Sequence, residues 1–348
     1  MNKDLSTYCP LPFNHLHVTQ TGDLKPCCQA EEFNDINLKK LSVEEAWNHQ
    51  EFKDLRMDMQ SGKRNVLCNY CYSKEDSGAF SPRNMHLGEH PMRVGADKTQ
   101  IFTDNGELPV NFLTIDIRFS NLCNFKCVMC GPDASSLHNK GKVIKIRDNF
   151  VEELLPYINE IEHVYFAGGE PLIMDEHYEL LNFLVEHRPQ VRIVYSTNLS
   201  VLEQGKYKVL DMWSKLDKPV FLAVSIDGLF DKGESIRVGL NTKKFINNIH
   251  RLKTVDKVEY GLHYTVGSHN IYNIYEFIDQ VIEYDLADPA TQLDFSNTVF
   301  WPEEYSLQNL SDKQKKDIKN YLLGEPYKTL PDRIKLAIDE LIKFNLSL

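Results

Sequence analysis

The sequence predicts an α/β fold: a parallel sheet of about six strands wound by helices, preceded by a small cysteine-rich module. Three observations carry this. From residue 112 onward, short runs rich in β-branched and aromatic residues alternate with stretches of helical period. The first 80 residues lack that alternation and hold little apolar material for a core of their own. The eight cysteines are confined to positions 9, 27, 28, 68, 71, 123, 127 and 130, and residues 131–348 contain none.

The elements follow in order. "HLHVTQ" and "TGDLKPCC" read as a hairpin turning at Thr21–Gly22–Asp23. Residues 42–60, "SVEEAWNHQEFKDLRMDMQ", read as one helix, and "CNYC" (68–71) as a knuckle. Residues 81–111, with Pro82, Gly88, Pro91, Gly95, Gly106 and Pro109, have the composition of a linker. The expected strands are 112–119, 163–168, 192–197, 220–227, 258–266 and 293–300. Between them lie the amphipathic runs "NFVEELLPYINEI", "DEHYELLNFLVEH", "KKFINNIHRL" and "YNIYEFIDQVIEY". Such alternation implies right-handed crossovers. It suits a six-stranded partial barrel, and an open doubly wound sheet would give the same string. Two helices, about 311–323 and 331–344, close the chain, the second opening on Pro331. The expected division is therefore a module at 1–80, a linker at 81–111, the α/β domain at 112–300 and a helical segment at 301–348.

Composition bounds the function. Lys and Arg number 39 against 50 Asp and Glu, a net charge of −11, which argues against a nucleic-acid partner. "MNKDLSTYCP" has no apolar signal core, and apolar runs such as "VFLAVSI" have strand length. The expectation is a cytoplasmic protein without a membrane partner. In a reducing compartment, clustered cysteines read as metal ligands before disulfides.

"CNFKCVMC" spaces Cys123, Cys127 and Cys130 as Cys-x3-Cys-x2-Cys, directly after the first strand of the alternating region. Three thiolates can hold three irons of a four-iron cubane and leave the fourth open to a small molecule. "FAGGEP" (166–171) ends the second strand; Gly168 and Gly169 allow close backbone approach, and Glu170 can accept from an ammonium group. "YSTN" (195–198) ends the third strand and "VSIDG" (224–228) the fourth, with "ESIRVG" (234–239) following. Asp116 and Arg118 alternate with Ile115 and Ile117 on the first strand, a charged pair suited to a polar substrate pocket. His263 and Tyr264 on the fifth strand, and Trp301 and Tyr305 beyond the sixth, are further candidates for lining that pocket or for the core.

These motifs resemble those of the radical S-adenosylmethionine (SAM) superfamily. The resemblance implies a partial (β/α)6 TIM-like barrel, and a 4Fe-4S cluster on Cys123, Cys127 and Cys130 whose open iron binds SAM. It places Gly168, Gly169, Glu170, Ser196, Asn198, Ser225, Asp227 and Arg237 around SAM, with Arg237 as a fork on its carboxylate. Cys9, Cys27, Cys68 and Cys71, with the hairpin and the "EEAWN" helix, resemble the SPASM/twitch auxiliary-cluster module, placed here before the barrel rather than after it. Four ligands fit one auxiliary 4Fe-4S cluster, with Cys28 as a spare or as the true ligand in place of Cys27. A four-cysteine zinc ribbon is the alternative. The auxiliary centre is expected to accept or relay an electron, or to stabilise the fold.

The resemblance implies reductive SAM cleavage, hydrogen abstraction, and oxidation or crosslinking of a peptide or protein residue, with electrons from a flavodoxin or ferredoxin. The alternatives are dehydrogenation of a small alcohol or amino-sugar and, in another class, a non-catalytic iron–sulfur or zinc scaffold. No winged-helix-type peptide-recognition domain is visible. The sequence names no further catalytic residue.

Overall fold

A computed structural model describes residues 6–87 and 103–346. Residues 88–102 of the expected linker lie outside the described residues. The chain divides into two compact units: 1–121, 143–194 and 216–218 form the first, and 122–142, 195–215 and 219–348 the second.

In the first unit, strands β1 (His15–Val18), β2 (Leu24–Lys25), β3 (Thr114–Ile117) and β4 (His163–Phe166) run in the order β4-β3-β1-β2. β1, β3 and β4 are parallel, and β2 pairs antiparallel to β1. The expected hairpin is present, with Gly22 at φ +88° in its turn. Its first strand also joins the parallel sheet, pairing His15–Val18 with Thr114–Ile117. Leu16, Val18, Ile115, Ile117, Val164 and Phe166 make one buried apolar face. Strand β5 (Arg192–Thr197) begins beside β4, where the Arg192 N–H donates to the Glu162 carbonyl.

The expected 42–60 helix is two: α1 (Val43–Trp47) and α2 (Gln50–Gln60). A capping box of Ser42 and Glu45 starts the first. Extended backbone at His49 breaks the run and starts the second. Trp47, Phe52, Leu55 and Met59 are buried, so the N-terminal region does own a core. Within it lies Arg56, fully buried under Trp47 and Phe52, donating to the Pro12 and Gly106 carbonyls at 2.8 and 2.9 Å. Two further helices are α3 (Asn69–Asp76) and α4 (Pro82–Leu87). α4 occupies the start of the expected linker. The linker's other end is tied down too: Gln60 bonds both backbone groups of Thr103, and Trp47 donates to Pro109. Helix α5 (Asp175–His187) covers the apolar face, with His177 edge-on to Phe166.

The second unit begins within β5, at Tyr195. Its strands run in the order β8-β7-β6-β5, where β6 is Val220–Ser225, β7 Val258–His263 and β8 Leu293–Asp294. β6, β7 and β8 pair in parallel. The last strand is shorter than expected, and a single bridge, Val266–Thr298, continues the pairing. Helices α6 (Phe230–Ile236), α7 (Thr242–Leu252) and α8 (Ile274–Glu283) alternate with these strands. Their periodic residues Phe245, Ile249, Leu252, Ile274, Phe277, Ile278 and Val281 are buried. The C-terminal helices are Asp312–Leu322 and Asp332–Asn345, with a short Glu325–Thr329 turn of helix between them.

Candidate iron–sulfur and cofactor sites

The triple-cysteine loop is held by a two-residue antiparallel ribbon that pairs Cys127 with Arg237 and Lys126 with Val238. Gly239 (φ +114°) makes this possible, because a Cβ there would meet the Asn124 carbonyl at 2.7 Å. The Ser135 hydroxyl donates to the Phe125 carbonyl, and the Phe125 N–H donates to Cys123 Sγ at 3.4 Å. Cys127 is buried, and Cys123 and Cys130 are partly open. The Cys130 thiol is held below its ordinary value by the hydrogen bond it shares with Cys127 and by Arg237, against the opposing cost of burial. Arg237 Nη1 lies 3.9 Å from Cys127 Sγ, and its Nε lies 2.6 Å from Asp227 Oδ2. Asp227 is fully buried, and its Oδ1 accepts from the Thr265 N–H at 2.6 Å.

Among the other expected cofactor contacts, Asn198 is buried and bonds Asn124 and the Ser200 N–H. Ser196 and Ser225 are half-buried at their strand ends. Arg237 and Asp227 are thus engaged with each other and with Cys127. Arg237 forms a buried ion pair beside a thiol, at a depth where an unpaired charge would be costly. Tyr264 is core, its hydroxyl bonded to the Asn270 carbonyl. His263 lies 3.6 Å from Asp294. Trp301 is 58% exposed, yet a Cβ on Gly131, next to Cys130, would meet its ring at 3.3 Å. The Tyr305 ring packs tilted against that of His269, centroids 4.6 Å apart.

In the first unit, Gly168 adopts φ +115°, and a Cβ there would meet the Ser120 carbonyl and Arg118 at 3.0–3.1 Å. The Gly169 N–H donates to that same carbonyl. Glu170 is buried and accepts from the Leu172 N–H, capping a short 3-10 turn.

Cys9, Cys27, Cys68 and Cys71 line one cavity with Leu11, Pro26 and Arg83. Backbone N–H groups of Leu11, Gln29 and Arg83 donate to the sulfurs of Cys9, Cys27 and Cys71. Burial pushes all four thiols up, Cys68 to about 12. Cys27 lines the cavity with Cys9, Cys68 and Cys71, whereas the neighbouring Cys28 is exposed and is not part of that lining. The hairpin thus turns Cys27 toward the other three and Cys28 away.

The sheet face opposite α5 is polar. His15, Thr114 and His163 share one row of the register, and His17, Asp116 and Tyr165 the next. Arg118 lies 2.8 Å from His17 Nε2, and His17 Nδ1 lies 2.9 Å from Asp116 Oδ2. Burial would raise the Asp116 carboxyl, but His17 and Arg118 hold it at about 2. Its Oδ1 is buried with no hydrogen-bond partner among the described residues.

Comparison with known proteins agrees with this architecture. Residues 117–280 match the family model for the radical SAM superfamily, and residues 9–72 match an iron–sulfur cluster-binding domain, SPASM. A GTP 3′,8-cyclase of Sulfurimonas denitrificans is 23% identical over 178 residues, 45% of this chain and 54% of the relative. The match therefore spans about half the length of that curated relative. Among solved structures, anSMEcpe with bound AdoMet aligns at TM-score 0.47 and 20% identity, covering 64% of this chain and 59% of that one. SuiB of Streptococcus suis bound to S-adenosylmethionine aligns at 0.40 and 15%, covering 88% and 67%.

Residues 117–280 are thus a radical SAM domain, and residues 9–72 before it an iron–sulfur cluster-binding SPASM module. The fold is mixed α/β with a parallel central sheet, the partial TIM-like architecture of that family. The family implies a 4Fe-4S cluster and SAM, and the module implies auxiliary iron–sulfur. Both donor sets fit. Each gathers buried or half-buried thiols, with N–H groups or a guanidinium turned toward sulfur and no disulfide formed. Among the described residues no helix is long and apolar enough to cross a membrane.

Proposed function

We propose that the protein is a radical SAM enzyme that oxidises or crosslinks a residue of a peptide or protein. The observation that carries the reading is the ribbon-held loop of Cys123, Cys127 and Cys130, three thiols with a guanidinium beside them. A cluster held there would cleave SAM reductively and so supply a 5′-deoxyadenosyl radical for hydrogen abstraction.

The chain's own residues have these roles. Cys123, Cys127 and Cys130 hold the SAM-binding cluster, and Arg237, fixed by Asp227, offsets thiolate charge at Cys127. Gly168 and Gly169 let the backbone approach the cofactor, and Glu170 accepts from its amino group. In the second unit, Ser196, Asn198 and Ser225 at their strand ends bind the cofactor. Cys9, Cys27, Cys68 and Cys71 hold the auxiliary cluster. His17, Asp116 and Arg118 face a polar substrate, and the free Asp116 oxygen accepts a hydrogen bond from it. This polar face equally suits a small alcohol or amino-sugar, the second reading. Eight free thiols suit a reducing cytoplasm, with flavodoxin or ferredoxin as electron donor.

The test is anaerobic reconstitution with iron and sulfide, then addition of dithionite and SAM while 5′-deoxyadenosine is followed by chromatography. Steady formation is expected, and Cys127→Ala should abolish it. A fully loaded protein that never cleaves SAM would move the chain to the non-catalytic class.

A further inference from the structure

Helix α4 lies beyond the residues that match the SPASM module, in sequence whose composition reads as linker. It nevertheless begins at the cysteine cavity. Pro82 and Arg83 both line that cavity, and the Arg83 N–H donates to the Cys71 sulfur. The Arg83 side chain is 10% exposed. Its Nη1 donates to the Tyr8 carbonyl at 2.9 Å, next in sequence to Cys9, and its Nε donates to Glu75 Oε1 at 3.0 Å. Nη2 closes a second contact to Glu75 Oε2, so the fork is bidentate. The Arg83 charge lowers the thiols of Cys9, Cys68 and Cys71, against the larger cost of their burial, and Glu75 opposes it at Cys71. Further along the helix, His86 is buried and faces His15 and His163 on the polar side of the sheet.

We propose that Arg83 is a built-in cation of the auxiliary centre, and that α4 belongs to that centre as the element that closes it. This rests on the reading of Cys9, Cys27, Cys68 and Cys71 as iron–sulfur ligands. Four thiolates give the centre net negative charge, and reduction adds one more electron. A fixed cation at the sulfurs stabilises the reduced form and raises the reduction potential. Arg83 is a positioning residue here, acting on the centre through charge and through the Cys71 hydrogen bond.

The pair makes the role separable from a structural one, because its two halves act with opposite sign. The experiment uses the full chain carrying Cys123→Ala, Cys127→Ala and Cys130→Ala, reconstituted anaerobically so that only the auxiliary site is loaded. Iron is counted, and the reduced fraction is read by electron paramagnetic resonance across a redox titration. Arg83→Gln should lower the reduced-to-oxidised ratio at the parent's midpoint about tenfold, equivalent to about 59 mV for one electron. Arg83→Lys should restore most of the shift. Glu75→Gln, which leaves Arg83 uncompensated, should move the ratio the other way, and it decides the matter even if Arg83→Gln fails to load. Unchanged midpoints in loaded variants, or shifts of the same sign, would overturn the role of Arg83. A parent that binds zinc or no iron would overturn the iron–sulfur reading itself, and the inference with it.

Discussion

The two cysteine sites are built in opposite ways. Cys123, Cys127 and Cys130 sit within eight consecutive residues, held by a two-residue ribbon with Arg237 and Val238 and by Gly239. Cys9, Cys27, Cys68 and Cys71 come from a hairpin, a knuckle and the chain before β1, and only the packed N-terminal core brings them together. The first depends on a short loop and one buried ion pair. The second depends on a whole unit being folded. Local sites survive distant damage that dispersed sites do not, because loop closure over longer separations must be offset by tertiary contacts.

Mild acid should separate them most strongly. His15, His163 and His177 in the first unit are pushed by burial from 6.5 to about 3, 4 and 3. Between those values and 6.5 the unfolded chain binds more protons, so stability is full above 6.5 and falls as pH drops below it. Each histidine contributes up to about 1.4 kcal/mol per pH unit in that window. Chemical denaturation at pH 7.5 and pH 5 should show the decline, accompanied by loss of auxiliary iron. Equal stability at both would contradict the burial of these rings.

The next largest effect belongs to the second unit. Arg237→Ala strands the buried Asp227 carboxylate and should cost about 3–5 kcal/mol. Adding Asp227→Asn should recover much of it. Thermal melts of the two variants check this, and an additive loss in the double variant would break the pairing.

How much of this was legible in the sequence differs between the sites in the same way. The triple-cysteine spacing is local, carried by eight consecutive residues. The pairing of β1 with β3 joins residues about a hundred positions apart, and no periodicity signals that. Arg83 was hidden because Pro82 and its glycine-rich surroundings read as linker, while burial and the Glu75 fork are tertiary facts. Arg237 and Asp227 each stand out in the sequence, but their pairing with each other does not. The helix break at Asn48–His49 was missed because both residues are tolerated inside helices, and the capping geometry decides.

The smallest effect sharpens the comparison. Cys28→Ser should leave auxiliary iron unchanged within error, whereas Cys27→Ser should lose it, because only Cys27 faces the other three thiols. The reverse result would exchange the two assignments.

The most direct test of the account is an iron count on three anaerobically reconstituted full-length chains. The parent should hold about eight irons, two four-iron clusters. Replacing Cys123, Cys127 and Cys130 together, or Cys9, Cys27, Cys68 and Cys71 together, should each leave about four. A parent with about four irons that are all lost with the first set would contradict the account, and would leave the N-terminal thiols as something other than an iron–sulfur site.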